Sequence, residues 1–158
     1  MTIVRVVLDT FDYHDCNSRM PYWSKATSSV VEDSKEVREY VNELNVGAIK
    51  KNIASNKKLL NDLLESIKEA KKKNELIANM SSDEIELLSL KPVRPFFFSS
   101  TESEIKGVED IIKKLEALLE KKELDSSDMK IVGVYFYVEA IEVTSFEDLK
   151  KGFGDYYD

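Results

Sequence analysis

The chain has 158 residues, 42% hydrophobic and 34% charged, with 19 lysines, 4 arginines and a net charge of −7. That length fits a single domain spanning 1–158, and the acidic balance disfavours nucleic acid, which is bound chiefly by neutralising its phosphates. No apolar run approaches a membrane span, the start "MTIVRVVLDT" turns polar too soon for a signal peptide, and one cysteine permits no internal disulfide, so the expected setting is cytoplasmic and reducing.

Residues 3–8, "IVRVVL", are short and β-branched and predict a strand. The polar stretch that follows to about residue 32 is long for a structureless loop, so it either hides a short hairpin or forms a flap. Asp33 with Glu36 reads as a capping box ahead of Val37, Tyr40, Val41 and Leu44 at helical spacing. Asn45 and Gly47 are expected to interrupt or bend that helix before a longer pattern over about 48–79. Ser81 with Glu84 opens a short helix that Pro92 closes. "VRPFFF", 93–98, predicts a short edge strand, because Pro95 cannot donate to a ladder. Thr101 and Glu104 cap a helix over about 102–123. The longest strand signal is 130–143, with Phe136 among the residues of one face and Tyr135 and Tyr137 on the other. Ser145 and Asp148 start a last short helix, ahead of a polar, glycine-containing tail.

The two long helices carry matching heptads. The first has a at 53, 60, 67 and 74 and d at 49, 56, 63, 70 and 77; the second has a at 105, 112 and 119. An antiparallel register aligns Lys71 with Glu102, Lys57 with Glu116 and Lys50 with Glu123, whereas no parallel register pairs these e positions. Asn56, at a d position, reads as a device for register or oligomeric state, or as an edge residue reaching solvent. The expected fold is therefore α+β: a small antiparallel or mixed sheet, with strands near 3–8, 93–98 and 130–143, packed against a long antiparallel helical pair, about 48–79 and 102–123.

"DTFDYHDC", residues 9–16, holds three aspartates with the only histidine and the only cysteine. Asp9, Asp12, His14, Asp15 and Cys16 are the candidate ligand or metal residues, since aspartates suit hard cations and the imidazole and thiolate suit zinc. The spacing falls short of a closed zinc site and of a calcium loop, no nucleophile elbow or phosphate-cradling loop is present, and neither a cofactor nor a catalytic residue is expected.

The acidic excess lies beyond residue 80, where 18 Asp/Glu face 10 Lys/Arg. This points to a protein partner with a basic surface. The candidate partner-binding residues are Tyr22, Trp23, Asp110, Asp125, Asp128, Tyr135, Tyr137 and Glu142. The expectation is a small acidic regulator or inhibitor that acts by binding, as a monomer or homodimer. Its size and lysine-rich composition suit a phage or mobile-element inhibitor of a host defence system. Two alternatives are a small-ligand or nucleotide-binding protein using the 9–23 loop and the tyrosine face, and a metal-dependent enzyme at the Asp9–Cys16 cluster.

Overall fold

The computed structural model describes residues 2–12, 22–141, 146, 147, 150 and 151, with Asp12 and Tyr22 described by their backbone alone. The elements run β1 (Ile3–Asp12), β2 (Tyr22–Glu32), α1 (Lys35–Ala78), α2 (Ser82–Leu87), α3 (Pro95–Leu119), α4 (Ser126–Met129) and β3 (Val134–Ala140). The class is α+β, as expected. Among the described residues, no helix is long and apolar enough to cross a membrane. The chain divides into two compact units: residues 1–45 with 125–158, and residues 46–124.

The first unit holds an antiparallel sheet in the order β2-β1-β3. The stretch to residue 32 contributes its own strand, so the hairpin alternative holds: β1 pairs with β2 from Ile3↔Glu32 to Asp12↔Tyr22. Leu8 faces Thr27 and Asp9 faces Lys25, which leaves Ala26 as the extra residue of a bulge. Side chains alternate along β1. Val6 and Leu8 lie on the face turned toward the first turns of α1; Arg5, Val7 and Asp9 lie on the other. Val4 and Val7, at 2% and 0% exposure, are the centre of this sheet's core.

Three expectations in this unit are corrected. The α1 cap is Ser34, whose Oγ accepts from the Val37 N–H at 3.2 Å, while Asp33 is taken by the Arg38 guanidinium in a fork of two 3.0 Å bonds. Neither Asn45 nor Gly47 breaks α1, which runs unbroken for 44 residues, about 66 Å at 1.5 Å per residue. Helix propensity outweighs one glycine's cost over so long a segment. The third strand starts at Val134 and not at 130, because Asp125 and Asp128 build α4, and Gly133, at φ 88°, makes the turn into β3.

The second unit is a helical pair. Lys57 Nζ lies 3.6 Å from Glu116 Oε1, and further along α1 the Asn74 amide bonds the backbone of Val93, which precedes α3. Partner numbers fall on one side as they rise on the other, so the pair is antiparallel. Its seam is Ile49, Ile53, Ile67, Ala70 and Ile77 on α1 and Ile105, Val108, Ile112 and Leu115 on α3. Among the described residues, Lys50 with Glu123 and Lys71 with Glu102 form no ion pair; α3 ends at Leu119, which takes Glu123 out of helical register.

Residues 93–98 are not a strand. Arg94 is an extended N-cap and Pro95 sits in the first turn of α3, where its missing N–H costs nothing and its fixed φ suits a helix. The heptad continues backward through half-buried Phe98 and buried Thr101. Thr101 is thus a seam residue at 7% exposure and not a cap. Ser81 caps α2 as expected, its hydroxyl accepting from the Glu84 N–H at 3.2 Å. Asn56 is half-buried and donates to the Asn52 carbonyl at 2.8 Å within its own helix. Phe146, Glu147, Lys150 and Lys151 have helical backbone, where the last helix was expected.

Candidate functional site

The sheet gathers several of the candidate residues on one face. Asp9 pairs with Tyr135 across β1 and β3, and Val7 pairs with Tyr137. Phe11 pairs with Trp23 across β1 and β2. The rings then form a run: Phe11 and Trp23 meet edge to face at 5.0 Å, Trp23 and Tyr135 lie 6.2 Å apart, and Tyr135 stacks on Tyr137 at 5.3 Å. The Lys130 ammonium lies 5.7 Å from the centre of the Phe11 ring, and Lys25 bridges to Glu139 at 3.3 Å.

Burial raises the Tyr137 phenol to about 12, and the neighbouring Asp9 carboxylate adds to the rise. Tyr135 is raised by burial and then by Asp125 and Asp128. Three polar atoms of this face, Arg5 Nε, Asp9 Oδ1 and Trp23 Nε1, are buried with no hydrogen-bond partner among the described residues.

The remaining candidates disperse. Asp12 and Tyr22 pair by backbone at the far end of the hairpin. His14, Asp15, Cys16 and Glu142 lie outside the described residues. Among the described residues no group of three or more His, Cys, Asp or Glu could hold a metal ion. Asp125 and Asp128 cap α4 reciprocally, each side chain accepting from the other's N–H at 2.8 and 3.1 Å. Asp110 is exposed on α3, in the other compact unit.

That division redraws the charge map. The sheet-bearing unit holds 16 Asp/Glu against 8 Lys/Arg, a net −8, and the helical unit 14 against 15, a net +1. Splitting the sequence at residue 80 hides this, because residues 1–45 fold with 125–158. The acidic excess belongs to the sheet-bearing unit, and most of the lysine-rich stretch belongs to the other.

The opposite face of the sheet was not singled out from the sequence. Val6, Leu8, Thr27, Ser29, Val31 and Phe136 line it, and Val37, Tyr40 and Leu44 of α1 form its wall, enclosing an open, mainly apolar groove of ≈ 350 Å³. Its two edges differ. At the β3 edge, Asn45, 4% exposed, donates from Nδ2 to the Phe136 carbonyl at 2.8 Å and accepts at Oδ1 from the Phe136 N–H at 2.9 Å. One side-chain amide thus occupies both outward backbone groups of that residue.

This contact also fixes the direction of the ladder. A strand residue's N–H and C=O point the same way, so Phe136 points outward and its partner Leu8 bonds toward β2. Thr27, Ser29 and Val31 then bond inward to β1, consistent with the Asp33 N–H donating to the Thr2 carbonyl at 2.7 Å. Ser28, Val30 and Glu32 present their backbone groups outward on a strand with no further neighbour among the described residues. Residues 25–32 are all exposed, Val30 at 62%. An open, partly apolar edge is the feature that proteins ordinarily blunt or use.

No family model, no curated protein and no solved structure matches this chain.

Proposed function

We propose that this chain is a non-enzymatic protein-binding regulator or inhibitor whose sheet-bearing unit engages a partner with a basic surface. The observation that carries this reading is the segregation of charge, −8 on the sheet-bearing unit against +1 on the helical one. A concentrated field of one sign steers an oppositely charged partner and accelerates encounter. Among the described residues, Glu32, Glu36 and Glu43 are exposed acids with no ion pair, on β2 and the first turns of α1. Three neighbouring bases are committed, Lys25 to Glu139, Lys35 to Glu39 and Arg38 to Asp33.

The test is affinity capture on the immobilised chain from an extract of the organism that encodes it, at low and high ionic strength, beside a Glu32→Gln, Glu36→Gln, Glu43→Gln variant. A specific protein retained by the wild type, released by salt and lost on the variant supports the proposal. No specific retention, or retention indifferent to both salt and the substitutions, overturns it.

One observation favours a second reading, a small-ligand site on the aromatic face. Arg5, Asp9 and Trp23 each bury a polar atom without a partner among the described residues, and unsatisfied groups of that kind mark places where something else belongs. Quenching of Trp23 fluorescence by a small anionic or aromatic ligand, saturable and lost in Arg5→Met, would support it; no saturable response would remove it.

A further inference from the structure

We infer that the β2 edge is a docking site for an extended peptide segment with alternating apolar and basic side chains, which adds to the sheet as a fourth strand. This rests on the protein-binding reading and gives it a location and a mode. The outward backbone groups of Ser28, Val30 and Glu32 can be satisfied in a regular way by another strand, and strand addition at an open edge is a general mode of peptide recognition. The opposite edge does not offer the same ladder, because the Asn45 amide occupies Phe136 at its centre.

A strand added beside β2 sends alternate side chains to each sheet face. Those on the groove side meet Thr27, Ser29 and Val31 and the apolar floor and wall behind them. Depletion of charge on that floor selects apolar side chains. The other side chains leave on the opposite face, beside Ser28, Val30 and Glu32; Glu32 is exposed there with no ion pair among the described residues, and the net −8 of the unit favours basic groups. A second copy of this chain is a poor occupant, because edge-to-edge pairing would bring two units of net −8 together.

The experiment uses the full chain and a fluorescein-labelled octapeptide of alternating lysine and valine, followed by anisotropy and by backbone amide shifts. The controls are the glutamate–valine octapeptide and a lysine–valine peptide with a central proline. The diagnostic variant is Val30→Pro, which removes an outward N–H and leaves the β1 ladder intact; a circular dichroism melt confirms that it folds. Saturable binding of the lysine–valine peptide alone, with shifts centred on Ser28 and Val30, is expected. Val30→Pro should weaken it by up to about tenfold, as the loss of one edge hydrogen bond implies. Binding unchanged in folded Val30→Pro, shifts centred on Trp23 and Tyr135, or a Val30-dependent dimer of the free chain by light scattering would each overturn the inference. Capture of a native partner that ignores Val30→Pro would leave the protein-binding reading standing and this site refuted. A peptide that binds the edge while no native partner is captured would do the reverse.

Discussion

Asn45 closes one edge of the sheet by bonding both backbone groups of Phe136, at 2.8 and 2.9 Å, from a side chain that is 4% exposed. The amide takes the place that a neighbouring strand would otherwise fill. It also ties the first turns of α1 to β3, within the sheet-bearing unit. Asn45→Ala leaves the N–H and C=O of half-buried Phe136 without this partner and should cost about 1–3 kcal/mol. Asn45→Asp keeps the acceptor but turns a carboxylate oxygen toward the Phe136 carbonyl, and should be at least as damaging. Urea titrations of the two variants, with unchanged m-values, check this; a loss below about 0.5 kcal/mol in both would show that the contact is not held in solution.

The glycines separate by their backbone geometry. Gly47 and Gly107 are helical, and an added Cβ would meet nothing within 4 Å at either. Alanine at each should raise stability by about 0.5–1 kcal/mol through the unfolded state. Gly133, at φ 88°, also has open space around it, yet an L side chain there is strained, so Gly133→Ala should lower stability despite the room. Thermal melts of the three variants test the contrast in sign.

Lys57 and Glu116 fix the register of the helical pair at 3.6 Å, but both side chains are more than half exposed. A double-mutant cycle should return only about 0.2–1 kcal/mol, shrinking as salt rises. Truncating Leu115, fully buried in the same seam, should cost about 2–5 kcal/mol. The charge chooses the register and the apolar seam holds it.

Tyr137 sets an alkaline limit. Its folded-state phenol is raised to about 12 by burial and then by Asp9. A group raised in the fold contributes its full stability below the unfolded value, about 10, and loses it as pH climbs through the folded value. The unfolding free energy should therefore fall between about pH 10 and 12, and fall less in Tyr137→Phe. Absorbance titration at alkaline pH should lose its last step in that variant.

The helical pair was readable in the sequence because two signals with different origins, the heptads and the e-position charges, agreed on one register. β3 and its two faces were readable from strict alternation, which put Tyr135 and Tyr137 together and Phe136 opposite them. What escaped had weak or competing local signals. β2, "YWSKATSSVVE", has β-branched residues diluted by serine and lysine and takes its strand character from pairing with β1. "PFFF" has strand-like composition, but Pro95 at a helix start and the heptad spacing of Phe98 and Thr101 carried more weight than aromatic content. Asn45 looked like a helix interruption because its partner lies 91 residues away, in a strand that sequence neighbours do not reveal. The same long-range closure hid the charge map: the two acidic ends of the chain meet only once the fold brings them together.

The claim on which the account turns is that the sheet has one closed and one open edge, and amide hydrogen exchange on the purified chain, read residue by residue by NMR, measures it directly. Thr27, Ser29 and Val31, bonded inward to β1, should be protected together with Phe136, while Ser28 and Val30 should exchange near the rate of an unstructured peptide. Asn45→Ala should remove the protection of Phe136 and leave that of Thr27 and Ser29. Protection of Ser28 and Val30 equal to that of their neighbours, or rapid exchange at Phe136 in the wild type, would contradict it.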